Sequence, residues 1–165
     1  MSKNLLTNTL QEIEFLRDMP LEYLEKIADI SKICDFDEFD TVFRDGEQAE
    51  NLYMVVSGNV HVESLVGNGR YELILTLGPG ELVGWSSLLG GRYTTRARTP
   101  DTARLLQIKV KQLMALSNRD PQFGFELMSR TTEALARRLS MTRNQLLEAQ
   151  GHEPVAAGWA AIEKT

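Results

Sequence analysis

The residues best placed to do chemistry run Gly78–Pro79–Gly80–Glu81–Leu82–Val83–Gly84, then Trp85–Ser86–Ser87–Leu88–Leu89–Gly90–Gly91–Arg92–Tyr93–Thr94–Thr95–Arg96–Ala97. Two glycine-bounded turns bracket one short apolar strand. Glycine lets a backbone come close to a ligand, and successive loop N–H groups can ring an anion. An arginine beside serine and threonine hydroxyls suits a phosphate. Gly84, Trp85 and Ser86 open this candidate loop, and Arg92, Tyr93 and Thr94 close it. Arg92 is the residue to which a ligand is assigned. The same composition would also serve as two plain hairpin turns on a β-barrel. The choice depends on what positions the loop.

The positioning elements are short strands punctuated by glycine. Apolar runs at 52–56, 60–64, 71–77 and 104–108 predict strands, and Gly67–Asn68–Gly69 predicts a hairpin. Many short strands of this kind imply a sandwich or jelly roll. Pro20 stands at a first helical position, and apolar residues at 3–4 spacing predict a helix over 20–28. A short helix is expected over 110–116. Asp120–Pro121 reads as an N-cap followed by a first-turn proline. That last helix is expected to run to about 150, where Gly151 stops it. Three segments result: a β-barrel with N-terminal helices over 1–119, a long C-terminal helix over 120–150, and a loosely attached tail over 151–165.

The barrel carries a resemblance. Phe43–Arg44–Asp45–Gly46–Glu47–Gln48–Ala49 has the turn form x-x-G-E-x-A; then come the strand Leu52–Tyr53–Met54–Val55–Val56 and Gly58–Asn59–Val60–His61–Val62, of form G-x-V-x-V. With the loop Gly78–Gly84, where the family places its phosphate-binding cassette, and Ala136–Arg137–Arg138–Leu139 in the last helix, this resembles the cyclic-nucleotide-binding domain of catabolite-activator-type (Crp/Fnr-like) regulators. The similarity covers roughly residues 10–150. It implies a mainly β fold, a double-stranded β-helix (jelly roll, cupin-like) flanked by N-terminal helices and a long dimerisation helix.

In family members that bind cyclic AMP, a loop glutamate binds the ribose hydroxyl. An arginine followed by Ser, Thr or Ala binds the cyclic phosphate, and a Thr or Thr-Ser on the dimer helix touches the purine. Here Trp85 holds the glutamate position. Indole offers one N–H donor and no acceptor, so it cannot replace a carboxylate. The loop is a few residues short, and strict spacing back from Ala97 puts Gly91 where the arginine belongs, with Arg92 one place late. Thr142 matches the purine-contacting threonine, and Arg143 replaces the serine after it. A charge-assisted contact is worth about 1.5–3 kcal/mol, so losing the glutamate costs roughly tenfold to a hundredfold in affinity. Cyclic AMP is therefore disfavoured. The cofactor is unknown, and two alternatives stand: another ligand, or a pocket filled by its own Trp85.

Composition bounds the rest. The chain has 165 residues, 42% apolar and 25% charged, enough for one sizeable core. No apolar run approaches the ~20 residues of a membrane span, and the N-terminus lacks a secretory apolar region. The single cysteine, Cys34, lies between Ile33 and Asp35 with Phe36 nearby and is expected to be a buried structural thiol in a cytoplasmic protein. The net charge is −5, yet residues 92–119 carry 7 basic and 1 acidic side chains, while residues 1–64 carry 14 acidic and 5 basic. A basic region around the loop would draw in an anion. Arg96, Arg98 and Arg104 can equally be a solvated strand face. His61 and His152 have no partners at metal-ligand spacing, and no nucleophilic triad or carboxylate pair is evident, so neither a metal site nor an enzyme is expected.

The last helix has a second message. Met128, Thr132, Leu135, Leu139, Thr142, Leu146 and Ala149 follow heptad spacing. A helix of ~30 residues spans about 45 Å, longer than a small barrel needs. The expectation is a parallel homodimer through this helix. The stretch after Gly151 is too short for a recognition helix and its support, so direct sequence-specific DNA binding is not expected. The resulting reading is a stand-alone sensory domain that binds a small anionic ligand and signals through a protein partner. The alternative is a constitutive dimeric scaffold with an empty pocket. The resemblance also implies that a ligand held by Arg92 and Thr94 on the barrel and by Thr142 and Arg143 on the helix could couple the two.

Overall fold

The computed structural model describes residues 3–153. After α1 (Lys3–Glu12), a 3₁₀ turn (Glu14–Leu16) and α2 (Leu21–Asp29) come eight strands: β1 (Ser31–Phe36), β2 (Thr41–Phe43), β3 (Asn51–Ser57), β4 (Val60–Leu65), β5 (Tyr71–Leu77), β6 (Leu82–Val83), β7 (Arg96–Arg98) and β8 (Ala103–Lys109). A second 3₁₀ turn (Trp85–Leu89) sits between β6 and β7, and α3 (Val110–Arg119) and α4 (Pro121–Ala149) end the described chain. All strand pairs are antiparallel and form two four-stranded sheets, ordered β1-β8-β3-β6 and β2-β7-β4-β5. This is the expected jelly-roll sandwich. The expected strands all form, each within a residue or two of its predicted ends.

Period-2 alternation sorts the side chains. In β3 all of Leu52, Tyr53, Met54 and Val55 are buried. Tyr53 and Val55 join the sandwich core with Phe43, Val60, Leu77, Val83, Tyr93, Ala97 and Leu105. Leu52 and Met54 point the other way, with their register partners Ile108 and Leu106. Both faces of the β3–β8 pair are therefore dry, and the helical layer, with Leu10, Leu16, Leu24, Ile27, Leu113 and Phe123 fully buried, supplies the second apolar surface. Tyr23 meets Phe123 edge to face at 5.2 Å, and Lys26 bonds Asp120 at 3.0 Å.

Local signals set the ends. The hairpin at Gly67–Gly69 closes with the Val66 N–H donating to the Arg70 carbonyl at 2.8 Å. The Asp120 carboxylate accepts from the Phe123 N–H at 3.1 Å, the N-cap bond that opens α4. At its far end the Gly151 N–H donates to the Glu148 carbonyl and the His152 N–H to the Leu147 carbonyl, both at 2.9 Å, a Schellman closure. Two details differ from expectation. Pro20 is the N-cap of α2 rather than its first helical residue. Cys34 is half-buried rather than buried, with its thiol donating at 3.1 Å to the amide oxygen of Gln107, which lies diagonally across the β1–β8 pair and shares its face with Lys32. The tail expected over 151–165 lies, beyond residue 153, outside the described residues.

The chain divides into two compact units, Met1–Gly124 and Phe125–Thr165. Within the second, Leu127 and Thr131 are buried, while Thr132, Leu139, Thr142, Leu146 and Ala149 of the heptad stripe are exposed and Met128 and Leu135 half-buried. Phe125, 75% exposed, extends the same spacing by one step. The stripe is thus a different face from the buried one.

One glycine tests the sandwich closure. Gly58, at φ +80° in the β3–β4 turn, has no room for a side chain: an added Cβ would lie 2.5 Å from the Thr102 carbonyl oxygen. Gly46 has a similar φ of +78° and open space. Left-handed strain alone costs about 1 kcal/mol, so Gly46→Ala is expected to lose about that much and Gly58→Ala about 3 kcal/mol or more. Urea denaturation of the two variants checks this; equal losses would show that the close approach does not matter.

Candidate functional site

The candidate loop hangs between β6 and β7. Gly84 leaves β6 at φ +77° and lies against two rings: an added Cβ would be 3.1 Å from Phe43 and 3.1 Å from Tyr93. The 3₁₀ turn that follows buries Ser86 and Ser87, and Gly90 ends it with its N–H on the Ser87 carbonyl at 3.2 Å. Trp85 is half-buried, and Leu89 is 76% exposed.

From Gly91 the chain pairs, as an irregular strand, with the turn before β3. The Ala49 N–H donates to the Gly91 carbonyl at 3.1 Å, the Tyr93 N–H to the Glu47 carbonyl at 2.9 Å, and the Gly46 N–H to the Tyr93 carbonyl at 2.8 Å. Pairing fixes parity, so neighbouring side chains take opposite faces. Tyr93 goes inward. Its ring lies on Phe43 at 3.8 Å between centroids and 11° between planes, with Tyr53 beyond Phe43 at 6.1 Å. Its hydroxyl donates to the Asn51 carbonyl at 2.6 Å and accepts from the Asn51 N–H at 3.3 Å. Arg92 goes outward, exposed, with Nη1 donating to the Gly46 carbonyl at 2.6 Å. Thr94 is exposed beside it.

The basic residues near the loop separate into two kinds. Arg96 donates to Glu63 at 2.5–2.6 Å and lies 3.6 Å over the Tyr71 ring, whose hydroxyl donates to Asp45. Arg104 pairs with Asp35 at 2.7 Å, and Arg98 donates to the Phe39 carbonyl at 3.1 Å. These three belong to the outer strand face, as one of the two sequence readings held. Arg92, unlike Arg96 and Arg104, has no carboxylate partner among the described residues.

Gly84, Trp85, Ser86, Arg92, Tyr93 and Thr94 therefore share one loop. Thr142 and Arg143 lie on the second unit, both exposed, with Arg143 bonded to Ser140 at 3.4 Å. The ring in the core behind the loop is Tyr93, not Trp85. Phe43, Tyr53 and Asn51, which hold Tyr93 there, were absent from the sequence-derived set. Phe43 opens the motif quoted above, but only a contact some fifty residues along the chain gives it this role. Among the described residues no three His, Cys, Asp or Glu side chains gather as a metal ligand set, and no helix is long and apolar enough to cross a membrane.

Burial pushes the Tyr93 hydroxyl up to about 12 and raises Tyr53 as well. The folded chain thus holds these protons to higher pH than the unfolded chain, whose tyrosines ionise near 10. That contribution to stability is full below pH ~10 and is lost as pH rises through about 12. Tyr93→Phe is expected to cost about 1 kcal/mol at neutral pH, from the lost Asn51 bonds, and to shrink the alkaline loss. Urea titrations at stepped pH check it; an unchanged alkaline slope would mean that Tyr93 ionises freely.

Comparison with known proteins gives the following. The family model described as the cyclic nucleotide-binding domain matches residues 34–120. The nitrogen fixation regulation protein FixK of Azorhizobium caulinodans is 34% identical over 96 residues, 58% of this chain and 38% of that protein. The CRP-like cAMP-activated global transcriptional regulator of Mycobacterium tuberculosis is 30% identical over 115 residues, 69% of this chain and 50% of that one. The chain thus spans half or less of the length of these two relatives. A putative cyclic nucleotide-binding protein from Geobacter metallireducens superposes with a TM-score of 0.72 at 26% identity, covering 81% of this chain and 97% of that one.

Proposed function

This chain belongs to the cyclic nucleotide-binding domain family, with Crp/Fnr regulators as its homologues, and from that premise we propose that it is a sensory module for a small anion other than cyclic AMP. Arg92 carries the reading. It is exposed at the mouth of the loop, spends one bond on the Gly46 carbonyl, and keeps further guanidinium donors for an anion beside the Thr94 hydroxyl. Behind it Tyr93 stacks on Phe43 in the sandwich core, so on this reading the ligand stays on the exposed, Arg92 side of the loop. A cyclic nucleotide would also have to bind without the ribose-binding glutamate.

The output is assigned to α4. Phe125, Leu139 and Leu146 are 75%, 72% and 58% exposed along one heptad stripe, which a second copy would cover in a parallel pair. A net charge of −5 does not favour the phosphate backbone of DNA, so the partner proposed is a protein. Regulators among the relatives act on transcription, and the cytoplasm is proposed as the shared compartment.

The Tyr93–Phe43 stack also supports a second reading, a constitutive dimeric scaffold whose pocket is closed by its own side chains. A thermal-shift screen of anionic metabolites and nucleotides separates the two. A ligand that raises Tm, with the rise lost in Arg92→Ala, supports the sensor. No ligand that does so supports the scaffold.

Two outcomes are expected beyond the screen. Calorimetric titration with cyclic AMP should show no binding at micromolar concentration, and Trp85→Glu alone should not restore it; micromolar affinity would contradict the displaced-arginine account. Leu139→Glu should convert a dimer to a monomer by light scattering, because an unpaired charge buried in the seam costs several kcal/mol. A wild-type chain already monomeric at tens of micromolar would refute the dimer.

A further inference from the structure

The outer side of the loop faces a different space from its inner side. The 3₁₀ turn, the turn before β3, the end of β8 and the start of α3 enclose a cleft of about 640 Å³, a size within the usual range of small-molecule sites. Its walls are apolar at Leu88, Leu89, Val110 and Met114. Leu89 is 76% exposed, an apolar side chain with nothing over it. Ser87 also lines the cleft, and its Oγ is buried without a hydrogen-bond partner.

The rim supplies charge. Lys109 and Lys111 both line the cleft and are exposed, and neither has a carboxylate partner among the described residues. Glu50 lines the same rim. Two lysines against one glutamate leave a single net positive charge. Glu50 on the rim would repel a second negative charge, which disfavours a dianion. Apolar walls and one net positive charge at the mouth describe the complement of a monoanion with an apolar body.

We propose that this cleft, which Arg92 does not line, binds a monocarboxylic acid with an extended apolar body. The carboxylate sits between Lys109 and Lys111, and the apolar body lies along Leu88, Leu89, Val110 and Met114 toward Ser87. Occupancy would tie the 3₁₀ turn to α3. The inference does not depend on what Arg92 holds.

Decanoate is the probe, titrated into the full chain and followed by calorimetry and by amide shifts in ¹H–¹⁵N spectra. One saturable site per chain is expected, with shifts centred on residues 87–90 and 109–114. The double variant Lys109→Gln/Lys111→Gln, changed only at exposed positions, should weaken decanoate about tenfold or more. Lys32→Gln, an exposed lysine on β1, should leave it unchanged. Leu89→Ala should weaken it by trimming the wall without adding or removing charge. Decylamine, with the same tail and the opposite charge, should not bind here. The proposal is overturned by no saturable binding at millimolar decanoate, by shifts centred on the exposed stripe of α4 instead, or by equal affinity in the lysine double variant. Equal binding of decylamine, or tighter binding of decyl phosphate, overturns the ligand class.

Discussion

Tyr93 lies flat on Phe43, and the loop around them is arranged to permit it. Gly84 removes the Cβ that both rings would strike, Asn51 satisfies the buried hydroxyl from two sides, and the backbone of Gly91 and Tyr93 is pinned to the turn before β3. A stacked aromatic pair gains its apolar burial plus about 0.5–1.5 kcal/mol from geometry. Tyrosine is tolerated there only because its hydroxyl finds a backbone partner. With that ring in the core, strand parity sends Arg92 to the surface, and the chemistry of the loop moves outward with it.

The same constraint explains what the sequence could and could not disclose. The Gly67–Gly69 hairpin, the Asp120 cap and the Gly151 stop rest on interactions within a few residues, and strands β3, β4, β5 and β8 are marked by local apolar runs, so residue type reveals them even though β3 and β8 pair across about fifty residues. The orientation of Arg92 and Tyr93 does not. It follows from pairing residues 91–93 with residues 46–49, and a slip of one place would exchange which of the two points inward. Motif spacing assigns Arg92 to a ligand and offers Trp85 as one of two ways to fill the pocket; the pairing adds that Tyr93 lies in the core, with Trp85 half-buried. The cleft beside α3 is equally hidden, because Glu50, Ser87 and the pair Lys109/Lys111 come from three separate segments.

The basic residues teach a related lesson. Charge counting along 92–119 suggested one positive field around the loop. The fold divides it: Arg96 is held between Glu63 and the Tyr71 ring and Arg104 pairs with Asp35, whereas Arg92, Lys109 and Lys111 keep no carboxylate partner among the described residues. Lys109 and Lys111 line the cleft beside the 3₁₀ turn, and Arg92 stands in the segment that follows that turn. On α4, the uncovered heptad stripe is a separate surface, set by periodicity and legible from the sequence.

Ring-to-ring NOEs between Phe43 and Tyr93 measure the closed interior directly. Recorded with and without millimolar cyclic AMP, they are predicted to be present and unchanged in both samples. Loss of the Phe43–Tyr93 NOEs on addition of cyclic AMP, with saturating shifts at Gly84 and Arg92, would contradict it and return the loop to cyclic nucleotide binding.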